Sequence, residues 1–113
     1  MLSDASIGGV DHGVPQGVIA VIEEDGVPVM RLTGEIDARA VDAYDRGCPA
    51  PPVPGTLAAV IDASAVTFLD GRGLRFLLRF ARAGTRPVLR RPTRIVRRVV
   101  DMADAGGWFV VTG

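Results

Sequence analysis

The first regular feature of the chain is an apolar run at 18–23, followed by Glu24-Asp25-Gly26 and a second extended run at 27–33. Runs of this length, rich in β-branched residues, predict strands, and the Asp-Gly pair between them predicts a tight hairpin. Pro28, near the start of the second run, suits an edge or the first residue of a strand. The period then changes. Val41 and Tyr44 stand at helical spacing, so a short helix is expected, with Asp37 as its N-cap and Gly47 as its stop. Segment 48–55 holds four prolines in eight residues and reads as a surface loop. Continuous apolar residues at 57–61 predict a strand buried on both faces, with Asp62 as a strand-end turn residue.

Leu74, Leu77, Leu78 and Ala81 fall at i, i+3, i+4 and i+7, a core-facing helical stripe. Arg72, Arg75, Arg79 and Arg82 occupy the other side, and Phe76 and Phe80 lie on the border, partly exposed. Gly84 ends this helix and a short strand is expected at 87–89. Thr93 reads as the cap of a third helix, with Val96, Val99, Val100 and Ala103 inward and Arg94, Arg97, Arg98 and Asp101 outward. Gly106 and Gly107 break that helix before a last strand at 108–111. The order is β-β-α-β-α-β-α-β. It predicts an α/β domain with a mixed sheet of about five strands, largely parallel after an antiparallel hairpin. Residues 1–17, rich in Gly, Ser and Asp, read as a flexible N-terminal tail, which leaves 18–113 as the domain.

Composition narrows this further. A length of 113 residues allows one core, and 48% hydrophobic residues favour a packed globule over disorder. No apolar run approaches the roughly 18 residues that would cross a bilayer. The start lacks the basic-then-apolar pattern of a signal peptide, and the single Cys48 cannot form an internal disulfide. A cytoplasmic protein is the expectation. The charges are segregated: residues 72–98 hold ten arginines and no acid, and the whole chain contains no lysine.

That composition excludes several chemistries. A P-loop requires a lysine on the phosphates, and so does a phosphoacceptor receiver domain late in its chain. His12 lies in the tail, and Cys48 sits in the proline loop without a histidine beside it. Glu35 and Asp37, two apart at a strand-to-helix turn, suit a cap and a solvated neighbour better than an acid/base pair. No metal-ligand cluster or cofactor motif is present, so no enzymatic activity is expected.

Two blocks carry a resemblance. Gly34-Glu35-Ile36-Asp37 ends the second strand, and Ser64, Val66, Thr67, Phe68, Asp70 and Gly73 form a strand-to-helix corner. Over about residues 18–111 the sequence resembles the STAS domain, and within it the anti-sigma factor antagonists. The resemblance implies the strand and helix order given above, usually with one more C-terminal helix, here expected to be absent or very short. It also implies a partner, an anti-sigma factor kinase, whose phosphorylation of the corner's second serine breaks the complex. A phosphate adds about −1.5 to −2 charges, which a desolvated contact does not tolerate. In this chain the two serine positions are Gly71 and Arg72, so neither accepts a phosphate and Arg72 supplies a permanent positive charge. Ser64 and Thr67 are the remaining nearby hydroxyls.

The expected contact surface comprises Gly34, Glu35, Ile36 and Asp37 together with Thr67, Phe68, Asp70, Gly71, Arg72, Gly73, Arg75 and Phe76. The expected function is that of an anti-sigma factor antagonist that serine phosphorylation at the usual position does not switch. The alternatives are a STAS accessory subunit of a lipid or anion transporter and a basic nucleic-acid module. Zero net charge and the lack of a nucleic-acid motif count against the last. Helices two and three are expected to share one face of the sheet and to combine their arginines into a basic surface.

Overall fold

The computed structural model describes residues 16–47, 60–81 and 86–113. The proline loop, Cys48, Arg82, Gly84 and all but the last residues of the N-terminal tail lie outside this set. Strands β1 (Gly17–Glu24) and β2 (Val27–Ile36) form the antiparallel hairpin, closed by Asp25 and Gly26 at φ 52° and 80°. Positive φ at both central residues is the type I′ geometry that an Asp-Gly pair tolerates. Helix α1 (Ala38–Gly47), strand β3 (Val60–Leu69), helix α2 (Gly71–Ala81), strand β4 (Val88–Arg90), helix α3 (Arg94–Met102) and strand β5 (Val110–Thr112) follow. The five strands lie in sequence order, with β2 to β5 parallel. The predicted order holds.

Each parallel connection steps to the next strand in the same direction, so right-handed crossovers place all three helices on one sheet face. The core is correspondingly one-sided. It takes Ile19 from β1, Met30 and Leu32 from β2, Ile61 and Ala63 from β3, and Leu89 from β4. Against these pack Ala40 and Val41 of α1, Phe76 and Leu77 of α2, and Val96 and Val100 of α3. Fully burying a side chain such as Leu77 is worth about 1.5–3 kcal/mol.

Several expectations change. The strand expected to finish near Asp62 runs on to Leu69, so Asp62 is an interior strand residue and not a turn. The turn expected at 34–37 is instead the bulged end of β2, which runs to Ile36, with register shifts on either side of Gly34 at φ 78°. Phe76 and Phe80 are core residues, because α1 covers that flank of α2. The Phe76 ring meets Tyr44 and Phe80 edge-on at 5.2 Å and 5.1 Å. Thr93 stands at the N-cap of α3 but its hydroxyl makes no capping bond; it donates to the Val66 carbonyl at 2.9 Å and ties α3 to β3. Ala103 is exposed and Ala105 is buried in its place, since the helix stops at Met102 and Asp104 turns at φ 53°.

Candidate functional site

The two sequence blocks meet at the C-terminal edge of β2 and β3. Their register pairs Glu35 with Phe68 and Ile36 with Leu69. The Asp70 amide donates to the Ile36 carbonyl at 3.4 Å, which joins the entrance of α2 to the end of β2. At the corner itself the Asp70 carboxylate accepts from the Gly73 amide at 2.9 Å, an N-cap that satisfies one free donor of the first helical turn. Gly73 is required by packing. A Cβ there would lie against the Ile36 carbonyl oxygen and the Leu69 side chain. Gly71 faces open space, so its role is not steric.

The companion corner is built the same way. Asp37 Oδ1 accepts from the Ala40 amide at 3.1 Å and caps α1, as the sequence predicted. Its other oxygen takes two hydrogen bonds from Arg39, at 3.0 and 3.3 Å, and Arg39 also reaches Glu35 at 3.7 Å. Partial burial pushes the Asp37 carboxyl up, but the Ala40 amide and Arg39 outweigh it and hold the group below its ordinary range.

Not every residue assigned to the contact surface is presented. Ile36, Gly73 and Phe76 are buried and offer no side chain to a partner. Thr67, Phe68, Gly71, Arg72 and Arg75 are exposed, and Gly34, Glu35, Asp37 and Asp70 are half-buried beside them. Phe68, with 45% of its surface exposed, is the large apolar side chain of this edge. Of the two other hydroxyls, Thr67 is exposed, while Ser64 donates to Asp62 Oδ1 at 2.6 Å.

The basic face is less uniform than the arginine count implied. Arg72 donates to Asp42 at 2.9 Å, and Arg79 forms a bidentate pair with Asp45 at 2.8 and 2.9 Å. Hydrogen bonding by Arg79 lowers the pKa of the Asp45 carboxyl. Arg79 also stacks over the Phe76 ring, 5.0 Å from its centroid. Helix α1 therefore neutralises much of α2.

A second network was not foreseen from sequence. Asp62 points to the sheet face opposite the helices, yet only 5% of its side chain is exposed, because charged neighbours cover it. Arg90 donates to Asp62 Oδ2 from two nitrogens, at 2.7 and 2.9 Å, and to both oxygens of Glu24 at 3.0 Å. The Ser64 amide and hydroxyl satisfy Asp62 Oδ1. Burial raises the Asp62 carboxyl, but Ser64 and Arg90 together bring it down to about 2. Arg90 likewise lowers the Glu24 carboxyl. This network clasps β1, β3 and β4, and every buried side-chain N or O among the described residues has a partner.

Among the described residues, no group of three or more His, Cys, Asp or Glu could hold a metal ion, and no helix is long and apolar enough to cross a membrane. A shallow depression of about 290 Å³ between β1 and α1 is lined by Ile19, Ala20, Val21, Ala43, Tyr44 and Gly47, without a charged group. It lacks the convergent polar groups that fix a small ligand. What the molecule presents is a surface. Residues 19–112 match the model of the protein family described as "Mlab, STAS domain". No curated protein matches the chain.

Proposed function

The chain belongs to the STAS domain family, and we propose that it acts as a non-enzymatic docking domain of the anti-sigma factor antagonist type. In this reading it binds a kinase-like anti-sigma factor in the cytoplasm and so controls transcription. The observation that carries it is the edge where Phe68, Gly71, Arg72 and Arg75 stand exposed beside Glu35. An aromatic side chain ringed by charged groups is the composition of an interface anchor and its rim. Arg72 sets the regulation. It replaces the hydroxyl that a kinase would modify, and a guanidinium keeps its charge at any physiological pH. The complex is therefore permanent with respect to phosphorylation at this corner.

The test is co-elution of the full chain with histidine-kinase-like ATPase domains from the same genome, with and without ATP, followed by intact-mass analysis. A complex that survives ATP, with no phosphoryl gain on this chain, supports the reading. Release by ATP together with stoichiometric phosphorylation at Ser64 or Thr67 overturns the permanent complex. Absence of any complex overturns the antagonist role.

The missing corner hydroxyl equally favours a second reading, an accessory subunit held permanently on the ATPase of a lipid or anion transporter. Such a subunit needs no release step. Co-purification with a transporter component, and not with a kinase-like anti-sigma factor, selects it.

A further inference from the structure

Helix α3 carries an apolar arc wider than the sheet covers. At 100° per residue, Val96 and Val100 face the core and Val99 is half-buried, but Ile95 and Met102 continue the same arc into solvent. Ile95 is 42% and Met102 80% exposed. Beside this strip run Arg94 and Arg98, with Arg97 on the far flank. All three are exposed, and none has an acidic partner among the described residues. This sets α3 apart from α2, where two of the three arginines, Arg72 and Arg79, are matched by acids of α1. The first turn of α3 also contains no acid and two arginines, Arg94 and Arg97, the charge sign that the helix dipole disfavours at that end. The helix gives up local stability here without an internal gain, a pattern expected where an external partner supplies the compensation.

We propose that this face, Arg94, Ile95, Arg98 and Met102, is a second docking surface, and that its occupant is an acidic amphipathic helix of a partner protein. The chemistry discriminates among occupants. A second copy of α3 would set arginine against arginine, with Asp101 as the one acid on the helix. A nucleic-acid backbone would leave Ile95 and Met102 unused. A lipid surface would take up both, but it would also set a layer of phosphates against Asp101, which shares the outer face with Arg94 and Arg98, whereas a helix can place its glutamates beside the arginines alone. A helix with leucines at i, i+4 and i+7 and glutamates beside them matches both the aliphatic strip and the arginines that flank it. The surface lies on α3 and is distinct from the residues of the corner.

The experiment uses the full chain and fluorescence anisotropy with three probes. These are a synthetic helical peptide of leucine and glutamate in that pattern, the same peptide with glutamine for glutamate, and phosphatidylglycerol vesicles. The glutamate peptide should bind about ten-fold tighter than the glutamine peptide, and added salt should erase most of the difference. The double variant Arg94→Glu, Arg98→Glu should abolish that preference, and Met102→Ser should weaken both peptides. Arg46→Glu, at the end of α1, should leave both affinities within about two-fold, since a charge far from a site acts weakly. Equal affinity for the two peptides overturns the proposal. So does a loss on Arg46→Glu as large as on the α3 variant, or binding to vesicles without binding to the glutamate peptide. Circular dichroism of each variant, unchanged from the parent, assigns the losses to the surface.

Discussion

Arg72 donates a hydrogen bond of 2.9 Å to Asp42 Oδ1, thirty residues earlier in the chain, so the corner's arginine is tied back to α1. Both side chains are about half-exposed, at 45% and 50%. The pair orients Arg72 more than it stabilises the domain. A pair in this setting contributes about 0.2–1 kcal/mol. A double-mutant cycle with Arg72→Ala and Asp42→Ala, read by urea unfolding, should return a coupling in that range. A coupling above about 2 kcal/mol would mean that the arginine is structural and not held out for a partner.

Gly73 is a packing requirement. Gly73→Ala drives a methyl group into the Ile36 carbonyl and the Leu69 side chain, where α2 meets the end of β2. Overpacking of this kind costs about 1–3 kcal/mol. The midpoint of chemical unfolding should fall accordingly. Gly71→Ala, whose added methyl meets nothing, should leave the midpoint unchanged or raise it.

Asp62 makes stability depend on acid. Its folded pKa of about 2 lies below the ordinary value of 3.8. A depressed carboxyl contributes stability that is complete above about pH 4 and lost as pH falls toward 2. The shift corresponds to about 2 kcal/mol. Asp62→Asn should lower stability at pH 7 and flatten the loss between pH 5 and pH 2 by about that amount, measured by urea unfolding at stepped pH. An unchanged acid profile would remove Asp62 from the clasp that joins it to Arg90 and Ser64.

Phe68 and Phe76 should separate binding from folding. Phe76 is 1% exposed, with two ring partners, so Phe76→Ala should cost about 3–5 kcal/mol of stability. Phe68 is half-exposed on the corner edge. Phe68→Ala should change thermal stability little and weaken the complex with the partner of the corner at least about ten-fold. Unaltered partner affinity in Phe68→Ala would shift the contact surface away from this edge.

Local chemistry written into neighbouring residues decided the element order, the hairpin turn and the Asp37 and Asp70 caps. An Asp-Gly pair selects its turn, and a capping carboxylate reaches only a few residues ahead, so these features are legible from sequence alone. The same holds for the absence of a hydroxyl at 71 and 72. Tertiary structure decided which arginines remain free. Asp42 and Asp45 are three apart on α1, and Arg72 and Arg79 are seven apart on α2. Each spacing marks one helix face, but only the packing of α1 against α2 brings those faces together and leaves Arg94, Arg97 and Arg98 without acidic partners among the described residues. It also buried Phe76 beneath Tyr44 and turned Asp62 from a presumed turn residue into the centre of an ion-paired clasp. A charge acts through distance in space, and the crossovers between strands set that distance, which spacing along the chain does not record.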